Sequence, residues 1–146
     1  MEIIKLEPFC IVGMKVVCDW RGLSVEMPKA WEEIRNRVME IENLESNEFY
    51  DICLRVQGEE FTQLVGCRVF EINDVPPGMT GVLIPAASYA YFHHLRPENE
   101  IADSFGKLHG WVKEQGYTVD PTDFKIQKSS HPQEDGHHLY LRIQNI

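Results

Sequence analysis

At 146 residues, 43% hydrophobic and 25% charged, the chain has the length and apolar content to bury a core of its own, and this composition excludes an intrinsically disordered polypeptide. Against 14 basic residues stand 23 acidic ones, a formal charge of −9 that repels a phosphate backbone and argues against direct nucleic-acid binding. No apolar run approaches the ~20 residues of a membrane helix, and MEIIKLEPF lacks the basic start and long apolar stretch of a signal peptide, so a cytoplasmic protein is expected.

Ile3 to Val17 is apolar with few breakers and reads as a strand. Pro28 fits a first helical position, where a missing N–H costs nothing. After it Trp31, Ile34, Val38, Ile41 and Leu44 recur at spacings of three and four, one stripe of a helix. Tyr50, Ile52, Leu54 and Val56 then alternate with polar partners, as a half-buried strand does. Gly58-Glu59-Glu60 predicts a hairpin turn into Phe61–Ile72.

Pro76-Pro77-Gly78 marks a connector, followed by an apolar, aromatic-rich run from Val82 to Phe92. Near Pro97 a second helical pattern begins, with Ile101, Phe105, Leu108 and Trp111 on one stripe and Gly116 suited to a left-handed end. Gly106 and Gly110 each weaken that helix by roughly 1 kcal/mol relative to Ala. Phe124 and Ile126 alternate with Lys125 and Gln127, and Leu139, Leu141 and Ile143 with Tyr140 and Arg142. The loop between them, Ser129 to Gly136, is polar.

The order is strand, helix, strand, strand, given twice. Residues 1–75 make one copy and 76–146 the other, within a single domain spanning 1–146. A short sheet with one helix is marginal alone. The predicted fold is therefore α+β, a tandem pseudo-two-fold repeat with an antiparallel sheet and two packed helices. No segment is left for a helix-turn-helix, so a standalone domain is expected.

Chemistry-bearing motifs are sparse. Cys10, Cys18, Cys53 and Cys67 have no CxxC spacing and sit among apolar neighbours, which suits small buried hydrophobes. His93-His94 and His137-His138 are adjacent pairs whose members point to opposite strand faces, so neither pair chelates one metal by itself. HExxH, Walker and GxSxG patterns are missing. No cofactor and no metal are expected.

PAASYAYFHH followed by the helix ending in GWVKEQGY, the segment FTQLVGCRV, and the closing LYLRI resemble, in that order, the GyrI-like effector-binding domains, the ligand-sensing halves of some AraC- and MerR-type regulators. The resemblance implies a groove between the repeats, walled by aromatics, that holds a small organic molecule. Its function would be small-molecule binding, with a possible protein partner through which transcription is affected. Some members of the family are hydrolases that open cyclopropane rings in natural products, and its name-giving members act on DNA gyrase; both remain alternatives. In members that bind cationic drugs an acid stands in an aromatic-acid-x-aromatic strand pattern. The matching segment here is Phe124-Lys125-Ile126-Gln127, with Lys125 at the acid's place and Gln127 at the aromatic's.

The ligand-binding candidates are Tyr89, Tyr91 and Tyr140 as walls and Lys125, Gln127 and His138 as polar contacts, with Trp31 and Gln63 from the first repeat. Alternation is read as placing Lys125, Gln127, His138 and Tyr140 on one sheet face. If that face lines the groove, an ammonium there repels a cation and suits an anionic or carbonyl-bearing ligand. The alternative reading is that Lys125 snorkels to solvent. For the aromatics, core packing is the rival to ligand stacking.

Overall fold

A computed structural model gives the protein at residues 1–130 and 135–144. Eight strands, β1 (Glu2–Leu6), β2 (Phe9–Asp19), β3 (Leu44–Gln57), β4 (Glu60–Val69), β5 (Thr80–Ile84), β6 (Ala87–His94), β7 (Lys125–Ser130) and β8 (His137–Arg142), form one antiparallel sheet. Its order is β1-β6-β8-β7-β3-β4-β2-β5. Two helices, α1 (Trp20–Arg37) and α2 (Ile101–Glu114), complete the fold. Of the polar loop expected at Ser129–Gly136, Ser129 and Ser130 end β7, and residues 131–134 lie outside the described residues.

The strand order maps onto itself when β1 is exchanged with β5, β2 with β6, β3 with β7 and β4 with β8. This is the expected pseudo-two-fold repeat, and its axis passes between β3 and β7, where Ile52 pairs with Ile126. One detail differs from the sequence reading. The run Ile3–Val17 is two strands, broken at Glu7-Pro8, and the run Val82–Phe92 is broken in the same way at Pro85-Ala86. Proline has no N–H to continue a ladder. After each break the chain changes partner: β1 pairs with β6 and β5 with β2, so each repeat lends its first strand to the other.

Helix α1 also differs from expectation. It begins at Trp20, eight residues before Pro28, because the Asp19 side chain accepts a hydrogen bond from the Gly22 N–H at 2.8 Å and caps the first turn. Pro28 therefore lies inside the helix and removes the bond that its N–H would have made to the Ser24 carbonyl. The stripe of Trp31, Ile34, Val38 and Ile41 packs on Val12, Phe49, Val65 and Val69, while Leu44 opens β3. Helix α2 presents Leu108 and Val112 to Ala90, Leu141 and Ile143. It ends as the sequence suggests: Gly116 takes φ +83°, Tyr117 N–H donates to the Val112 carbonyl and Gly116 N–H to that of Lys113, each at 3.0 Å.

Both helices cover the same face. Phe49 on β3 shares its face with Gln127 and Lys125 on β7, these with Leu139 and Leu141 on β8, and Leu141 with Ala90 on β6. The opposite face curls around its own core, in which Phe9, Ile11, Tyr50, Ile52, Leu64, Tyr89, Phe124 and Ile126 are all buried. The sheet is thus apolar on both sides, and the groove runs along its helix-covered face between the two helices. Among the described residues no helix is long and apolar enough to cross a membrane.

Candidate functional site

Where α1 and the start of α2 part, the central strands β3 and β7 are left uncovered. The cavity there has a volume of about 560 Å³, within the range of small-molecule sites. Helix α1 supplies Met27, Pro28 and Trp31, the sheet supplies Phe49, Asp51 and Gln127, and Glu98 and Ile101 close the far side. A smaller recess of about 90 Å³ continues along the floor over Gln63, Lys125 and Phe105, sharing Asp51 and Gln127 with the main cavity.

Asp51 is the centre of this groove, and sequence reasoning missed it. The Trp31 indole N–H donates to its Oδ2 at 3.3 Å, and the Gln63 amide donates to its Oδ1 at 3.4 Å. Trp31 is itself fixed by an edge-on contact with Phe49 at 5.8 Å between ring centroids, and the Arg35 guanidinium lies 5.1 Å over its ring at the rim. Burial pushes the Asp51 carboxyl up to about 6, and the charge of Glu98 adds to the rise. The hydrogen bonds from Trp31 and Gln63 act in the opposite direction. Among the described residues Asp51 has hydrogen-bond donors but no ion-pair partner.

The eight residues expected to form one site divide into two groups. Trp31, Gln63, Lys125 and Gln127 come together in the groove around Asp51. Tyr89, Tyr91, His138 and Tyr140 lie on the other face of the sheet. Tyr89 is fully buried against Phe124 and Tyr140, and Tyr91 stacks on His138 with its hydroxyl 2.6 Å from Nδ1. The expectation that Lys125, Gln127, His138 and Tyr140 share a face is corrected by register. Directly paired residues of antiparallel strands share a face, and the pairs are Lys125 with Leu141, Gln127 with Leu139 and Ile126 with Tyr140. A one-residue offset moves a whole strand's pattern to the other side.

Lys125 does not bring a free charge into the groove. Its Nζ lies 2.5 Å from the Asp123 carboxylate and 5.9 Å over the Phe105 ring. Asp123 adopts φ +57°, a left-handed turn that folds its side chain back toward Lys125. The lysine lines the recess with its charge held against Asp123. The charged side chains that face the main cavity are Asp51, Glu98 and, at the rim, Arg35, a net charge of one negative. His137 also lines it, and burial lowers its pKa.

The four cysteines are all free thiols, Cys53 and Cys67 buried and Cys10 and Cys18 half-buried. Burial pushes the Cys67 thiol up to about 12, which keeps it unreactive.

Among known proteins, the chain is similar to the transcriptional regulator BrlR of Pseudomonas aeruginosa, with 32% identity over 109 residues. That match covers 74% of this chain and 40% of BrlR, so the chain spans less than half the length of that relative. In three dimensions it resembles SAV2435, solved bound to tetraphenylphosphonium, with a TM-score of 0.75 at 7% identity over 99% of this chain and 93% of that one. The C-terminal domain of EcmrR gives a TM-score of 0.74 at 11% identity, covering 99% of this chain and 97% of that one. At such identities the likeness speaks for the fold. The profile of the GyrI-like small molecule binding domain, however, is matched across residues 1–144, and on that extent the chain belongs to this family.

Proposed function

We propose that the groove binds a small aromatic cation, with the Asp51 carboxylate as its counter-charge and Trp31 and Phe49 as its aromatic wall. The observation that carries this reading is a half-buried carboxylate with no ion-pair partner among the described residues: two N–H groups hold Asp51 in place, and its partial desolvation already makes the ionised form costly. An organic cation entering the groove supplies the missing partner, and its apolar body covers the rings that the groove exposes. With Lys125 tied to Asp123, no unpaired cation among the described residues stands on the floor to oppose it. The ligand of SAV2435, a protein of the same fold, is in keeping with this preference. BrlR, the relative in sequence, is a transcriptional regulator. We extend the reading to a sensor whose occupancy is passed to a protein partner, since a chain of charge −9 is poorly suited to contact DNA itself.

The test is a matched pair of probes. Tetraphenylphosphonium and tetraphenylborate have nearly the same shape and opposite charge. Followed by calorimetry at equal ionic strength, the phosphonium should bind at least tenfold more tightly. Asp51→Asn should abolish that preference. Tighter binding of the borate would overturn the proposal. Incubation with cyclopropane-bearing natural products, followed by mass spectrometry, separates binder from hydrolase: release of ring-opened product over many cycles would make the groove an active site.

A further inference from the structure

On the sheet face opposite the groove, three potential metal ligands converge. The pleat sends the members of each His-His dipeptide to opposite sides, but antiparallel pairing reunites them across strands: His93 pairs with His138, and His94 with His137. The second pair is used structurally. His94 is fully buried, with Nδ1 2.8 Å from the Ser104 hydroxyl and Nε2 2.9 Å from the Pro97 carbonyl, so both ring nitrogens are engaged. The first pair is open to solvent at its edge, its rings stacked at 4.4 Å.

Asp135 completes the group. Its carboxylate lies 3.1 Å from His138 Nε2 and 3.6 Å from His93 Nε2. The candidate ligand atoms of the three residues all fall within 4.8 Å of one another. Metal–nitrogen and metal–oxygen bonds near 2.1 Å in a tetrahedron put ligand atoms about 3.4 Å apart, so the carboxylate already stands at ligand spacing from both rings. The backbone at Asp135 is followed directly by Gly136, which fixes its approach to β6. At φ +65° the Gly136 α-carbon sits so close to the His94 carbonyl that a Cβ would approach that oxygen to 2.4 Å. This contact sets the return of the chain over His93 and His138.

A further feature is support behind a ligand. Tyr91 Oη lies 2.6 Å from His138 Nδ1. The phenol is both donor and acceptor, so it can receive the proton on Nδ1 and leave the Nε2 lone pair directed at a metal, the usual arrangement behind a ligating histidine. His93 is bonded through Nε2 to the Asp135 carbonyl at 2.6 Å; as a ligand it gives up that bond and carries its N–H on Nδ1 instead. Lys128, the neighbour of His138 on β7, is drawn aside by Glu48 at 3.5 Å.

We propose that His93, His138 and Asp135 form a binding site for a divalent transition metal of zinc type, with two imidazoles, one carboxylate and a position open to water. Two nitrogens and one oxygen favour a borderline ion over the hard calcium or magnesium, which demand oxygen cages. The site lies across the sheet from Asp51 and is independent of the cation-binding reading.

The experiment uses the full, untagged chain and two probes, Zn²⁺ by calorimetry and Co²⁺ by visible absorption. One Zn²⁺ per chain should bind saturably, and Co²⁺ should give visible bands that Zn²⁺ displaces. Asp135→Asn should weaken Zn²⁺ at least tenfold, and His93→Gln should weaken it further, with loss of the Co²⁺ bands. Both side chains are partly exposed, 66% and 31%, so the variants should melt at the wild-type temperature. His109→Gln, a change at a histidine remote from the cluster, should leave binding as in wild type. Failure of the chain to bind Zn²⁺ saturably would overturn the proposal. So would wild-type affinity in both cluster variants, or a near-ultraviolet thiolate-to-cobalt band placing the ion on Cys10 or Cys18 instead.

Discussion

Asp51 and Lys125 occupy equivalent positions in the two repeats, each one residue ahead of the isoleucine, Ile52 or Ile126, whose pairing marks the pseudo-two-fold axis. Around them Tyr50-Asp51-Ile52-Cys53 corresponds to Phe124-Lys125-Ile126-Gln127. In the ladder Asp51 faces Gln127 and Lys125 faces Cys53, so both side chains emerge on the groove floor. On the proposed reading, the acid that the family resemblance leads one to seek at position 125 is supplied at the same height by the first repeat. The symmetry of the fold makes the two places interchangeable for a ligand lying on the axis.

Ligand binding should therefore depend on pH through Asp51. With its carboxyl raised to about 6, affinity for tetraphenylphosphonium should be constant above neutrality and fall up to tenfold per unit as pH drops below that value. Stability should move the other way. A carboxyl whose folded pKa lies above its unfolded value of 3.8 binds its proton better in the folded state. It costs nothing below pH 3.8 and costs progressively more as pH rises toward 6, up to roughly 3 kcal/mol. Asp51→Asn should then be more stable than wild type at pH 7.5 and no more stable at pH 4. Urea unfolding at the two values decides it; an equal gain at both would trace the effect to packing.

Trp31 has two separable duties. Trp31→Phe keeps an aromatic wall against Phe49 but removes the N–H that Asp51 accepts. Loss of that donor should raise the Asp51 pKa further and weaken cation binding about fivefold at pH 7, on the order of 1 kcal/mol. Trp31→Ala removes the wall as well and should cost more than tenfold. The pH midpoint of binding to the Phe variant, read by calorimetry, should lie above that of wild type. An unchanged midpoint would show that the hydrogen bond does not tune the acid.

The elements were legible in the sequence because their signals are local. The stripes of Ile34 and Leu108, the turn at Gly58 with φ +62°, and the helix stop at Gly116 each depend on near neighbours only. The start of α1 was not, since the cap made by Asp19 outweighs the more familiar signal of Pro28. The candidate groove was half legible. Trp31, Gln63, Lys125 and Gln127 are in the groove, whereas Tyr89, Tyr91, His138 and Tyr140 are behind it. A sheet that is apolar on both faces gives no cue to which row of a strand faces which side. Phe124 and Ile126 belong to the inner core, and Leu139 and Leu141 to the helix side. Asp51 was hidden for a related reason, being the polar member of an alternating strand that ordinarily faces water. Its importance arises only when β7 pairs beside it.

The close approach of β2 and β4 gives a stability prediction. Gly13 pairs with Gly66, and a Cβ on Gly66 would come within 2.3 Å of the Val12 carbonyl oxygen. Backbone, unlike a flexible side chain, cannot move aside without disturbing the ladder. Gly66→Ala should destabilise by about 2–4 kcal/mol. Gly106→Ala is the contrasting change: nothing lies within 4 Å of its Cβ position on α2, and the helix should gain up to ~1 kcal/mol. Thermal melts of the two variants should shift in opposite directions.

Lys125 provides the sharpest discrimination between the charge reading drawn from sequence and the one drawn from structure. Were it a free ammonium in the groove, wild type would favour tetraphenylborate, and Lys125→Met would remove that preference. In the structure its charge is held by Asp123, and Asp123 also lies 3.4 Å from His109. Lys125→Met keeps the aliphatic stem over Phe105 but releases the Asp123 carboxylate beside the floor. The net change at the recess is one more negative charge, next to a site that already holds Asp51. Tetraphenylphosphonium should therefore bind more tightly to Lys125→Met, by about three- to tenfold at low ionic strength, equivalent to roughly 1 kcal/mol. The gain should shrink as salt is added, because Asp123 is about a third exposed. Titration of wild type and variant with both probes at two salt concentrations measures it. Weaker phosphonium binding in the variant would mean that the Asp123–Lys125 pair supports the groove's shape more than it sets its charge.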